Sequence, residues 1–303
     1  MDQSAICANI FAPSPANTYT WIAGIARATM RSVPQRAEGR HPMPVMPGAE
    51  PYHHEGGPVA VLLCHGFTGT PQSLRPWGEY LAAEGLTVAL PRLPGHGTTW
   101  REMARTRWED WYAELDRAFE ELHARSADVF VMGLSLGGCM ALRLAEQRGE
   151  QVRGVVAVNP SLYPDHPLLK VAPLLKWVIP SVPGVANDIK KPGAEELAYD
   201  RTPVRAAATL PKLWARTVAG LGQVKQPVLV FHSPQDHVVG PNSVRLLRER
   251  MTGGNLDVRE LTDSYHVATL DNEAPVIFAQ SLEFIRTNAS VPLQSRGGRE
   301  REA

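Results

Sequence analysis

The sequence lacks an excess of charge of either sign. Thirty-one basic residues balance thirty-one acidic ones, giving a formal net charge of zero. Nucleic-acid binding draws mainly on phosphate neutralisation, so a nucleic-acid partner is not expected. Lysine is scarce, with six of those basic positions, a skew that carries no functional reading. Cysteine is scarcer still. Cys7, Cys64 and Cys139 stand at unrelated spacings, with no CxxC and no Cys/His pattern of zinc-ligand type, which argues against a disulfide framework and a metal centre. Cys64 lies in the apolar run VAVLLC and Cys139 four residues after Ser135, so both read as small buried hydrophobes. No run reaches the roughly 18 apolar residues of a membrane span. The N-terminus starts with acidic Asp2 and shows no basic segment followed by an apolar one, so a signal peptide is not expected. Odd thiols without a signal point to the cytoplasm.

The 303 residues, 44% hydrophobic and 20% charged, suit a soluble protein with a real core and exclude wholesale disorder. Residues 1–46 mix Pro, Ala, Arg and Ser without period and read as a poorly ordered extension, with Met43 or Met46 as alternative starts. Residues 289–303 read as a flexible tail. Between them, residues 47–288 alternate short apolar runs with amphipathic stretches. PVAVLLC, LTVAL, DVFVMG, VRGVVAV, QPVLVFH and LDVREL are the strand candidates, with the near-continuous hydrophobicity of strands covered on both faces. Trp108, Trp111, Leu115, Phe119 and Leu122, three or four apart, mark the packing stripe of a helix. Strand, helix and strand in succession predict an α/β protein with a mostly parallel central sheet flanked by helices.

One interval breaks this rhythm. From Pro160 to about Gly222 no strand-like run occurs, too long for a plain loop, so residues 160–222 are expected to form an inserted cap with its own structure. Within it, LLKVAPLLKWVIP is either a helix packed on the sheet or the wall of an apolar acyl pocket.

The chemistry is concentrated in three places. GLSLG, Gly133 to Gly137, follows DVFVM and precedes a helical stretch. That is the setting of a nucleophile elbow, in which the flanking glycines remove Cβ atoms that would clash at the tight turn. A serine hydroxyl needs a base, and the base needs an acid to orient it. Asp236 follows QPVLVFH and His266 follows LDVREL, so both emerge at the same sheet edge as Ser135. His232 and His237 compete for the base, and Asp263 and Asp271 for the acid, but each lies in the wrong loop to complete the chain of hydrogen bonds. The amides of Leu136 and of Phe67, in HGFTG after the first long strand, are the candidate oxyanion donors. His65 either braces that loop or acts as a base. His96 belongs to a shaped turn, PRLPGHGTT.

HGFTGTP, PRLPGHGT, GLSLGG, DIKKPGAEELAYDRTP, DHVV and SYHVATLD together resemble the bacterial monoacylglycerol lipases of the α/β-hydrolase superfamily, which are close to the small bacterial carboxylesterases. The resemblance spans about Gly48 to Thr287. It implies an α/β-hydrolase fold with a lid, the triad Ser135, Asp236 and His266, and the oxyanion amides of Phe67 and Leu136. It also implies that Glu196 binds a glycerol hydroxyl, with Val185 lining the glycerol pocket. The expected function is hydrolysis of monoacylglycerol to glycerol and fatty acid, with no cofactor and at most transient membrane-surface contact through the cap. A general short-chain carboxylesterase and a noncatalytic ligand-binding protein on the same fold are the alternatives.

Overall fold

The computed structural model describes residues 43–165, 172, 174–184, 187–253 and 255–293. Every strand expected from an apolar run is present. In chain order the elements are β1 (Tyr52–His54), β2 (Val59–Cys64), α1 (Arg75–Ala83), β3 (Thr87–Leu90), α2 (Trp100–Met103), α3 (Trp108–His123), β4 (Asp128–Leu134), α4 (Leu136–Arg148) and β5 (Gly154–Val158). They continue with β6 (Ser181–Pro183), β7 (Arg201–Pro203), α5 (Val204–Ala207), α6 (Leu210–Gly220), β8 (Val228–His232), α7 (Asn242–Arg250), β9 (Leu256–Glu260) and α8 (Ala274–Asn288).

Seven strands form one sheet in the order β1-β3-β2-β4-β5-β8-β9. All pairings are parallel except the antiparallel one of β1 with β3. Successive residues of a strand point to opposite faces, and the core divides accordingly. Ala60, Leu62 and Cys64 join the Trp111, Leu115 and Phe119 stripe of α3 and the Met140 and Leu144 side of α4. Val59, Val61 and Leu63 meet Trp77 and Leu81 of α1 and Ile277 and Leu282 of α8 on the other face. Each fully buried Leu or Phe in these layers contributes about 1.5–3 kcal/mol.

The parallel order has a functional consequence. The C-terminal ends of β2, β4, β5, β8 and β9 lie along one edge of the sheet, so loops far apart in sequence meet there.

Three sequence expectations need correction. LDVREL was expected to be covered on both faces, yet β9 ends the sheet and is only partly buried. β1, with the sequence YHH, was not anticipated, because it has no apolar run and exists by pairing with β3. The interval 160–222, read as free of strands, contains the antiparallel pair β6 and β7, with Val182 opposite Thr202. Both short strands include a proline, tolerated where no further strand needs the missing donor.

Of the stretch LLKVAPLLKWVIP, residues 168–171 and 173 lie outside the described residues. Leu174, Trp177 and Val178 are exposed, so these side chains pack on neither the sheet nor the cavity described below.

Described residues just outside the expected limits 47–288 make contacts with the domain. The Met46 amide donates to Gly97 O at 2.8 Å. Beyond α8, Ser290 N donates to the Asp128 carboxylate, while Val291 and Leu293 pack against the apolar cluster. Residues 1–42 and 294–303 lie outside the described residues.

Candidate active site

Ser135 sits between the end of β4 and the start of α4 with φ 55° and ψ −116°. Such a conformation costs a non-glycine residue about 1–3 kcal/mol and persists only where the surroundings enforce it. They do so here by backbone hydrogen bonds. Ser135 N donates to Val158 O at 2.9 Å, and Ser135 O accepts from Ser161 N and Cys139 N, each at 3.1 Å. The helix also lies unusually close to the sheet. A Cβ on Gly137 would stand 1.9 Å from Cys64 O, and one on Gly133 would stand 2.3 Å from Gly137 C. Only glycine fits at these two positions, as the elbow reading requires.

Leu136 is the first residue of α4, so its amide points out of the positive end of that helix. Gly66, Phe67 and Thr68, from the loop after β2, line the same cavity as Ser135 and Leu136. The Phe67 ring packs 5.6 Å from that of Trp111. His65 resolves in favour of bracing: its Nε2 accepts from Leu93 N at 3.2 Å and its Nδ1 donates to Gly66 O at 2.9 Å. Burial pushes its pKa down to about 4. With both ring nitrogens engaged by backbone, it ties the β2 loop to the β3 loop. His96, also buried, is likewise bonded locally, to Pro94 O at 3.1 Å.

Asp236 and His266 meet as expected. His266 Nδ1 donates to Asp236 Oδ2 at 2.7 Å, and the two side chains are 9% and 2% exposed, respectively. The other carboxylate oxygen, Oδ1, accepts from Val238 N and Val239 N, each at 2.8 Å. Burial alone would lower the His266 pKa, but the charge and hydrogen bond of Asp236, then the charges of Glu196 and Asp188, raise it above the ordinary value. No hydrogen bond joins the Ser135 hydroxyl to His266 among the described residues. Both face one cavity, and such bonds often close only when substrate docks.

The competing residues are engaged elsewhere. His232, at the end of β8, lines a surface groove with Arg245 and Glu260. His237 faces the cavity, but its Nδ1 pairs with Asp188 at 2.7 Å. Asp263 forms an ion pair with Lys190 at 2.8 Å. The Asp271 carboxylate accepts the amides of Lys190, Lys191 and Tyr265.

Asn159 was not anticipated. With φ 43° it stands just beyond β5, and its Nδ2 donates to Ser233 Oγ, Tyr265 O and His266 O at 3.0, 3.2 and 2.9 Å, respectively. Its Oδ1 accepts from Ser233 N at 2.8 Å. One amide side chain thus links the loops carrying the acid and the base. The available signal was its place, a polar residue directly after the apolar run GVVAV at the edge already known to hold Ser135.

The cavity measures about 280 Å³ and is bounded by Phe67, Leu136, Val182, Leu210 and Trp214 on its apolar side, with Ser135, His266 and Glu196 supplying polar groups. Glu196 Oε1 lies so near Gly69 that a Cβ there would stand 2.7 Å away. Burial pushes its pKa up to about 7, partly offset by His266. Val185 lies outside the described residues. Cys64 and Cys139 are fully buried, as the sequence suggested. No group of three or more potential metal ligands occurs among the described residues.

The family pattern described as serine aminopeptidase, S33, matches residues 58–273. The chain belongs to that family. The S33 chain is 41% identical over 247 residues to the thermostable monoacylglycerol lipase of Bacillus sp. (strain H-257), covering 81% of this chain and 98% of the relative. It is 25% identical over 237 residues to a carboxylesterase of Bacillus subtilis (strain 168), covering 78% of this chain and 96% of the relative. Among solved structures, one from work on the metagenome-derived lipolytic enzymes LipS and LipT superposes with a TM-score of 0.78 at 40% identity, covering 80% of this chain and all of that one. The monoacylglycerol lipase of Paleococcus ferrophilus superposes with a TM-score of 0.67 at 22% identity over 79% of this chain and 98% of its own, a likeness of fold. The fold of this S33 member is therefore the α/β-hydrolase fold that the motif resemblance implied.

Proposed function

We propose that the chain hydrolyses carboxylic esters through an acyl-enzyme on Ser135, with monoacylglycerol as the preferred substrate. The observation that supports this most is one cavity holding Ser135, His266 and Glu196 against an apolar wall of Val182, Leu210 and Trp214. An acyl chain suits the wall, and a polyol head suits the carboxyl. In this mechanism Ser135 Oγ attacks the ester carbonyl as neutral His266 takes its proton through Nε2. Charge then builds on the carbonyl oxygen, where the amides of Leu136 and Phe67 stabilise it. His266 returns the proton to the departing alkoxide, and a water repeats the sequence on the acyl-enzyme. Asp236, bonded to Nδ1 at 2.7 Å, holds the tautomer that leaves Nε2 free and favours the imidazolium formed in each transition state.

The family description mentions an aminopeptidase, and the 25% identical relative is a carboxylesterase. Glu196 is the residue that separates these readings. A half-buried carboxyl whose pKa is pushed up to about 7 can accept or donate a hydrogen bond to a neutral hydroxyl, each worth about 1.5–3 kcal/mol when charge-assisted. Glu196→Ala is expected to reduce kcat/KM for monoacylglycerols by about 10–100-fold and to leave simple esters within about threefold. A panel of mono-, di- and triacylglycerols, short esters and an aminoacyl anilide measures this. Equal loss on every ester would assign Glu196 to stability instead and favour the carboxylesterase reading.

Contact with a lipid surface forms part of the same proposal. Leu174, Trp177 and Val178 are 77%, 75% and 80% exposed, and Lys176 and Arg205 lie over the Trp177 ring at 5.2 and 5.5 Å. An indole flanked by cations suits the boundary of an anionic bilayer. No described helix is long and apolar enough to cross one. Trp177→Ala should weaken co-sedimentation with vesicles containing phosphatidylglycerol by about fivefold or more while turnover of a soluble ester stays unchanged. Equal vesicle binding by the variant would remove this contact from the reading.

A further inference from the structure

We infer that Asp188, carried by the segment between β5 and β8, is a positioning residue that holds together the two loops bearing Asp236 and His266. Asp188 opens the stretch DIKKPGAEELAYDRTP, which also carries Glu196. Its Oδ2 accepts from His266 N and from His237 N, both at 3.1 Å. Its Oδ1 pairs with His237 Nδ1 at 2.7 Å, and its main-chain oxygen accepts from Val267 N at 3.1 Å.

The two amides sharing Oδ2 come from different loops. His237 follows Asp236 in the loop after β8, whereas His266 lies in the loop after β9. A single oxygen that accepts from both fixes the separation of the two backbones from which the Asp236 carboxylate and the His266 ring project. The side chain is only 14% exposed, so water competes poorly for these donors. A catalytic group displaced by about 1 Å can lose about 100-fold in rate. A tie at this place therefore acts on the rate without touching the substrate.

The rest of the stretch is fastened to the same edge. The amides of Lys190 and Lys191 donate to Asp271 at 2.8 and 2.9 Å. Tyr199 N donates to Thr68 O at 3.2 Å, while its hydroxyl accepts from Thr98 N and donates to Gly95 O, each at 2.8 Å. One strap thus reaches the loops after β2, β3, β8 and β9, and seating it on the sheet edge also completes the geometry of the acid and base.

Asp188 also contributes charge. The acidic groups acting on His266 are Asp236 from the loop after β8 and Glu196 and Asp188 from the strap, and all three raise its pKa. Nearby, His237 is bonded to Asp188 and Lys190 is paired with Asp263. Removing the Asp188 charge lowers the pKa of His266, and the base stays neutral to lower pH. The acid limb of the kcat/KM profile consequently moves toward acid.

This inference rests on His266 being the base of the reaction proposed above. The experiment measures kcat, KM and the pH profile of the full chain on a soluble short-chain ester for wild type, Asp188→Asn, Asp188→Ala and Ser135→Ala. Asp188→Ala is expected to lower kcat by about 10–100-fold with KM within threefold. Asp188→Asn, which keeps an acceptor oxygen, should recover part of that loss while sharing the acid shift of the profile. The Asn variant is nearly isosteric and carries the test if the Ala variant does not fold, as circular dichroism would show. Wild-type kcat and an unmoved acid limb in Asp188→Asn, beside an inactive Ser135→Ala, would overturn the role of Asp188 alone. Retained turnover in Ser135→Ala would overturn the underlying reaction, and the inference with it.

Discussion

Replacing Ser135 by Ala is expected to lower kcat on every ester substrate by about 10⁶-fold, the loss seen when the serine of such a triad is removed. The residual rate would come from the oxyanion amides and from binding, so KM should change little. Among the described residues, neither free thiol is placed to substitute. Cys139 is fully buried with its thiol pushed up to about 12, and burial raises the Cys64 thiol as well. Ser161 borders the cavity but lies outside the elbow; its amide donates to Ser135 O. The substitution removes one oxygen from a position already held at φ 55° by neighbouring backbone, so thermal stability should stay close to wild type. Steady-state ester hydrolysis, with labelling by a fluorophosphonate probe, measures the effect. Turnover within tenfold of wild type would place the chemistry elsewhere.

Asp236→Asn should cost nearly as much, about 10⁴-fold in kcat, with the architecture of the loop retained. In wild type, Oδ1 is committed to the amides of Val238 and Val239, and Oδ2 accepts from His266 Nδ1. An asparagine satisfies the two amides by keeping its oxygen at the Oδ1 position. Its NH₂ then faces His266 and requires Nδ1 to accept. The imidazole proton moves to Nε2, the atom that must take the proton of Ser135, and the base is blocked while every backbone contact survives. Thermal denaturation beside a kcat measurement separates this from unfolding. A folded variant that has lost less than tenfold would exclude Asp236 as the acid.

What could be read from residues alone follows from how local each determinant is. β2, β4, β5 and β8 announce themselves because strands buried on both faces must be apolar throughout. β9 shares enough of that pattern to be found, but its partial exposure depends on standing last in the sheet, a property of topology. β1 has no local signal, since its three residues are extended only through β3. Ser135, Asp236 and His266 were legible because each lies within five residues of the end of an apolar run in the chain, and the structure brings the last two into contact and all but Asp236 to the cavity lining. Glu196 entered only through resemblance to a family, for nothing in its neighbours shows that the chain returns to the cavity there. Asn159 and Asp188 work by joining loops from separate strands, with side-chain partners as far as 107 and 78 residues away, respectively. Spacing along the chain does not encode such contacts.

The sheet's two borders bear on how the protein behaves at high concentration. An uncovered strand is a template on which another chain can add itself, and long, apolar borders invite aggregation. Here one border is β1, three residues long. The other, β9, carries Asp257, Arg259 and Glu260, and Arg259 is held by Asp257 at 2.8 Å and Gln280 at 2.9 Å. An added strand at β9 would have to strip water from these charges, and one at β1 would find few partners. The strand that departs from the uniformly apolar pattern of its neighbours thereby protects the sheet against growth from chain to chain.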